Sequence, residues 1–337
     1  MTAPRSIAPP VVDVHAHVDV PAVTALVEGR PGLLAERAEQ LTTFGAESSQ
    51  RNGELAATTY RPLLDELPAR LRVMDASGVA VQVVSVVPTL YHYWADPSLS
   101  AELVDAANAH LEATVAQAPD RLVGLAAVAL QHADRAAEQL RAATARGARG
   151  VEISTSVAGR DLSDRLLDPF WAAAEELRSF VFLHPWGCSL GSRLAPSYLG
   201  NVVGNPTETT VALHHLLFGG VLDRFPGLRV CAAHGGGYFP YYLSRADHAY
   251  EVRPESRTML RRPSEYLDSL WFDSLVYTGE ALARLVGIAG ADHVLLGTDY
   301  PFDMGVVDPL QRLDASGLAP AERAVVAGRN AVRLLQL

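Results

Sequence analysis

The chain has no lysine; all 28 of its basic residues are arginine. A protein Schiff base, a phosphate-loop lysine and a carboxylated-lysine bridge between two metal ions are therefore excluded at the outset. Cysteine is nearly absent as well. Cys188 and Cys231 are too few for a disulfide framework, as expected of a reducing cytoplasm. No apolar run approaches the ~20 residues of a membrane span. The opening MTAPRSIAPP lacks the apolar stretch of a secretion signal, so a cytoplasmic protein without a membrane partner is expected. The net charge of −10 argues against nucleic acid as a partner. Aromatics make up 7% of the 337 residues, yet hydrophobic residues reach 49%, enough for a large globular core.

Short apolar runs alternate with amphipathic stretches along the chain. The runs are Val11–Val14, Val79–Val87, Leu122–Val128, Gly150–Ile153, Phe180–Leu183, Leu228–Ala232, Ser269–Phe272 and His293–Leu296. They are apolar on both faces, as buried parallel strands are. Between them, helical patterns such as Leu63–Ser77, Ala101–Gln117 and Ala133–Arg146 end at Gly78, before Pro119 and at Gly147. Eight βα units predict one α/β domain over residues 1–337, a closed (β/α)8 TIM barrel. A doubly wound open sheet is the alternative. It would place a Gly-rich phosphate turn after the first strand, where this chain has His15-Ala16-His17. Residues 18–60 form a small insertion after strand one. A structureless loop of that length is uncommon in a compact barrel, so a small lid or subdomain is expected. Arg253–Ser264 is a second, arginine-rich insertion.

Barrel enzymes carry their chemistry at the C-terminal ends of the strands. His15 and His17 follow strand one, His184 ends strand five, His234 ends strand six and Asp299 ends strand eight. In extended chain, positions i and i+2 share a face, so His15 and His17 point the same way. Imidazoles with a carboxylate suit one divalent ion, Zn²⁺ first and Mn²⁺ as the alternative. A water on such an ion would have its pKa lowered towards ~7. On the loop side, Tyr91-His92-Tyr93-Trp94 brings aromatics near the same mouth, with His92 and Trp94 as candidate substrate contacts.

Val12-Asp13-Val14-His15-Ala16-His17 resembles the opening of the amidohydrolase superfamily. Leu183-His184-Pro185-Trp186, Ala233-His234-Gly235-Gly236-Gly237 and Leu296-Gly297-Thr298-Asp299-Tyr300-Pro301-Phe302 resemble its decarboxylase branch, typified by 2-amino-3-carboxymuconate 6-semialdehyde decarboxylase. The likeness runs from about Val11 to the C-terminus. It implies a mononuclear metal on His15, His17, His184 and Asp299, with His234 as the base that positions and deprotonates water. It implies substrate-carboxylate arginines at Arg61 and Arg253, with Arg245 reaching across a homodimer interface, and Trp186 in the pocket. Two arginines able to grip carboxylates bidentately also suit a dicarboxylate on chemical grounds. Ser197-Tyr198-Leu199-Gly200-Asn201 stands where the family places Trp-containing pocket walls.

The expected reaction is metal-dependent, non-oxidative release of CO2 from an unsaturated or aromatic carboxylic acid. His234 and Asp299 are the candidates for proton transfer. Hydrolysis of an amide or lactone at the same metal is the alternative activity, and a binding protein on a silent barrel is the non-enzymatic one.

Overall fold

The computed structural model describes residues 9–337. In them eight parallel strands form one sheet: β1 Val12–Val18, β2 Val81–Val86, β3 Leu122–Ala126, β4 Gly150–Ile153, β5 Phe180–Leu183, β6 Arg229–Ala232, β7 Leu270–Asp273 and β8 Val294–Leu295. Each strand pairs with the next in sequence. The ring closes where the amide of Val14 donates to Leu296 O at 2.9 Å and that of Asp299 to His15 O at 2.8 Å. The fold is therefore the (β/α)8 barrel read from the alternation.

The strands are apolar on both faces because each has two cores to fill. Val14, Val83, Leu125, Phe182 and Leu295 fill the barrel interior. Val151, Ile153, Val181 and Val230 face outward, onto Phe170, Trp171, Leu213 and Leu216 of the helices. Helix ends follow local chemistry. Leu67–Ser77 stops at Gly78, whose φ of 74° opens the left-handed conformation that glycine tolerates. The Asp96 side chain accepts from the amides of Ser98 and Leu99, at 2.8 and 3.0 Å, and starts Pro97–Gln117. The helical pattern that the sequence carries over Glu208–Arg224 is broken in the structure. Asn205–Phe218 and Val221–Arg224 are separated at Gly219–Gly220, where Gly220 takes a φ of 66°. A two-residue ribbon, Ser156–Val157 with Arg160–Asp161, was not legible in the sequence.

The segment after β1 is helical. Pro21–Val27 buries Val23 and Val27 beside Leu33, Leu99 and Leu103. Pro31–Leu55 follows and bends at Gly45, with φ 75°. A Cβ there would lie 2.6 Å from Ala195 O, so only glycine lets the bend meet the loop after β5. No helix among the described residues is long and apolar enough to cross a membrane.

Candidate metal centre and substrate cavity

The irregularity in β1 between Asp13 and Ala16 sets how its histidines meet the barrel mouth. Asp13, buried at the strand's interior, accepts from the amides of His15 and Thr298, the Thr298 hydroxyl and the Gln82 amide group, at 2.7–3.1 Å. That knot ties β1 to the turn after β8. It brings Asp299 to His15 and His17: Asp299 Oδ1 lies 3.3 Å from His15 Nε2 and 3.4 Å from His17 Nε2. The backbone is strained at this point. Asp299 has φ 60° and His234 φ 55°, uncommon for non-glycine residues and concentrated where function requires them.

His15, His17, His184 and Asp299 each offer one ligating atom, and these atoms lie within 4.8 Å of one another. All four residues are buried. His15 Nε2, His17 Nε2, both His184 ring nitrogens and Asp299 Oδ1 have no hydrogen-bond partner among the described residues. Buried polar atoms are normally satisfied, and leaving one unpaired costs about 1–3 kcal/mol. Four residues, each turning one unpartnered atom of metal-ligating type to a common point, therefore fit a divalent cation. The tautomers fit as well. Asp273 is an acceptor 2.7 Å from His15 Nδ1, and Val86 O is an acceptor 3.3 Å from His17 Nδ1. Both rings thus carry their proton on Nδ1 and present the Nε2 lone pair to the centre.

The electrostatics are those of a site awaiting positive charge. Burial opposes charge on His15, but Asp299 and Asp273 more than offset it and push its imidazole up to about 10. Burial, with His15, His17 and His234 crowded around it, holds His184 well below the ordinary histidine range. Burial disfavours ionised Asp299, yet the surrounding imidazoles, His15 foremost, keep it well below the usual carboxylate range.

His234 stands beside the four. Its Nε2 is 3.7 Å from Asp299 Oδ2, and its ring centroid is 5.1 Å from that of His184. Three glycines follow, all at positive φ. A Cβ on Gly237 would sit 2.2 Å from Pro206 O, and one on Gly236 2.5 Å from Phe272 Cδ1. The run lets the chain turn under His234 against two neighbouring elements. A cavity of about 290 Å³ opens onto His184, His234 and Asp299. Trp186, Phe44 and Phe302 give it apolar walls, and Asn52, Asn201, Asn205, Tyr60 and Tyr198 give it polar groups.

The proposed substrate contacts divide. Trp186 lines the cavity, tilted against Phe44 at 5.9 Å between centroids. His92 and Trp94 do not. His92 Nδ1 and Trp94 Nε1 both donate to Glu36 Oε2, at 2.8 and 3.1 Å, and so clasp the helix Pro31–Leu55 to the loop after β2. Arg253 is not there either. It closes the helix that descends from β6, at the end of the barrel opposite the mouth, and pairs with Glu255 while 66% exposed. A segment that leads into the next strand belongs to the wrong face. Arg61 is exposed, and its neighbour Tyr60 is the residue that reaches the cavity. Arg245 is exposed on its helix; Asp247 is taken by the Ser264 amide and Arg262. No arginine among the described residues lines the cavity.

Asp273 and Phe44 escaped the sequence reading. The strand-end rule that found the histidines reaches Asp273 when applied to β7. For Phe44, nothing short of the packed insertion would have served.

Comparison with known proteins agrees with this geometry. A family model described as Amidohydrolase matches residues 12–337. A 2-amino-3-carboxymuconate-6-semialdehyde decarboxylase of Dictyostelium discoideum is 35% identical over 272 residues, covering 80% of this chain and 76% of that one. A gamma-resorcylate decarboxylase of Rhodococcus jostii is 29% identical over 294 residues, covering 82% and 89%. Among solved structures, a 2,6-dihydroxybenzoate decarboxylase from Rhizobium superposes with a TM-score of 0.81 at 26% identity, over 97% of this chain and 99% of that one.

Proposed function

The chain belongs to the amidohydrolase family, among its metal-dependent decarboxylases, and from that premise we propose that it removes CO2 non-oxidatively from an aromatic or unsaturated carboxylic acid. The observation that carries the reading is the set of converging, unpartnered ligating atoms on His15, His17, His184 and Asp299. Three imidazoles and one carboxylate form a donor set suited to Zn²⁺. When bound, the ion supplies positive charge opposite the substrate's carboxylate and the charge that develops as the C–C bond breaks.

The protein's own groups do the rest. Trp186, Phe44 and Phe302 offer flat apolar walls to a planar acid and keep water from it. His234 lies beside the centre and opens onto the cavity, so it is placed to carry a proton. The step balances: the bond to the carboxylate carbon breaks, CO2 departs, and one proton takes its place on the vacated carbon. Asp299 Oδ2 is the nearest carboxylate oxygen to the His234 ring and orients it. The segment 18–60 acts as the lid, since Phe44, Asn52 and Tyr60 close the cavity from its side. We place the active molecule as a homodimer, with the exposed Arg245 as the residue offered to a second copy.

The test is a panel of hydroxybenzoic and muconate-type acids, assayed for CO2 in D2O with metal-loaded protein. Release of CO2 with one deuterium at the vacated carbon is expected. Consumption of an amide or lactone with no CO2 from any acid would overturn the reading.

A further inference from the structure

His17 has a second set of neighbours, away from the cavity. Its Nδ1–H faces Val86 O at 3.3 Å, Ser85 Oγ at 3.5 Å and Glu152 Oε2 at 3.8 Å. Glu152 is a carboxylate in the middle of β4, in a run, Gly-Val-Glu-Ile, that is otherwise apolar. It is 2% exposed. Two hydroxyls donate to it: Ser85 Oγ at 2.6 Å and Tyr91 OH at 2.7 Å. A serine hydroxyl has one proton and two acceptor positions. With that proton given to Glu152, Ser85 can only accept from His17. The Ser85 hydroxyl lies 2.6 Å from Glu152 and 3.4 Å from Ala16 O, so its proton goes to the carboxylate, and the His17 Nδ1–H is shared between Val86 O and Ser85 Oγ.

No arginine hydrogen-bonds or ion-pairs with Glu152 among the described residues. A buried carboxylate held by two neutral hydroxyls is costly unless positive charge lies close by. A cation held on the other nitrogen of His17, which faces the metal centre, would supply that charge through the ring. The two histidines of the pair are then treated alike. His15 has Asp273 on its Nδ1 side at 2.7 Å, and His17 has Glu152 on its own, largely through a hydroxyl.

We propose that Glu152 is a positioning residue of the metal centre, which through Ser85 holds the His17 ring on its Nδ1 tautomer and strengthens His17 as a ligand. Tyr91, stacked on Tyr93 at 5.5 Å and 6°, holds the carboxylate in place. The inference rests on the metal-centre reading above.

The experiment measures metal affinity directly, by competing a chromophoric chelator against metal-free protein for Zn²⁺ and Mn²⁺. Wild type, Glu152→Gln and Ser85→Ala are compared, with circular dichroism and melting of each metal-free protein as the folding control. Glu152→Gln should bind roughly 10–100-fold more weakly, the range for losing a partner of a metal-ligating histidine. Ser85→Ala should weaken binding in the same direction, and Glu152→Asp should recover part of the loss. At saturating metal, kcat of Glu152→Gln should return to within a few-fold of wild type. Affinity of a folded Glu152→Gln within twofold of wild type overturns the proposal. So does kcat that stays lost at full metal occupancy. If Glu152→Gln does not fold, Ser85→Ala carries the test, and unchanged affinity there overturns it. Wild type that binds no stoichiometric metal is a different result: it removes the metal-centre reading itself.

Discussion

At the scale of single residues, His184 and His234 are neighbouring imidazoles with different work. His184 has both nitrogens unpartnered inside the cluster, whereas His234 sits at its edge beside Asp299. His184→Ala should therefore lose metal and activity together. His234→Ala should keep most of the metal while turnover falls by about 10²–10⁴, the usual worth of a positioned proton-transfer group. Metal analysis beside CO2 assay separates the two, and metal-free His234→Ala would make it a ligand. His15 sets the pH response. Without metal its imidazole is pushed up to about 10, so at neutral pH it holds a proton that a cation must displace. Proton and metal compete, so affinity weakens as pH falls, by about tenfold per unit for one displaced proton. Titrations at several pH values, with proton release read in two buffers, check this. Flat affinity would show that His15 binds no proton in the metal-free site. Arg253 carries the opposite expectation from the one the family resemblance implies. It is exposed, paired with Glu255 and at the far end of the barrel, so Arg253→Ala should leave kcat/KM within about twofold.

At the scale of elements, glycines separate turns that need them from helices that do not. Gly237 combines φ 62° with a Cβ position 2.2 Å from a backbone oxygen, so Gly237→Ala must move the chain under His234. About 1–3 kcal/mol of strain is expected, with a fall in kcat. Gly53 is the control. It lies inside the helix Pro31–Leu55, and a Cβ there meets nothing within 4 Å. Gly53→Ala should stabilise by about 0.5–1 kcal/mol. Melting of the two variants decides, and equal shifts would show that local geometry does not govern either. The elements also explain what was legible beforehand. Strand positions were readable because each strand is buried on two faces, and the convergence of His15, His17, His184, His234 and Asp299 was readable because strand ends share one mouth. The loop residues fared worse. His92 and Trp94 lie on the correct face, but a glutamate from the insertion, 56 and 58 residues away in sequence, captures them. Arg253 was named from the family resemblance alone, and the helix Phe239–Val252 that it closes carries it to the far end of the barrel. Asp273 meets His15 across 258 residues, a contact no local spacing encodes.

At the scale of the whole molecule, the absence of lysine and the emptiness of the cavity in arginine have to be reconciled with a carboxylate substrate. Metal and histidine supply positive charge at one end of the cavity only. Asp19 and Asp303 line the remainder, which disfavours a second carboxylate on the substrate within a single chain. Arg245 is exposed, while its neighbour Asp247 is already satisfied by Ser264 and Arg262. In the proposed homodimer it is free to complete the cavity of a second copy. A dicarboxylic acid should then depend on assembly and a monocarboxylic acid should not. Arg245→Ala should raise KM for the dicarboxylic acid by roughly 10–100-fold, the worth of about 1.5–3 kcal/mol from charged hydrogen bonds. Dilution through the dimer dissociation range should reproduce that rise in wild type, with metal content constant. Mixing Arg245→Ala with a metal-site variant such as His184→Ala should restore one of the two active sites in each heterodimer, about a quarter of all sites after random equimolar exchange, because one mixed cavity receives a wild-type arginine beside an intact metal centre. Failure of the mixture to recover activity, with heterodimers present by mass, would place the carboxylate grip within the single chain and return the question to Arg61.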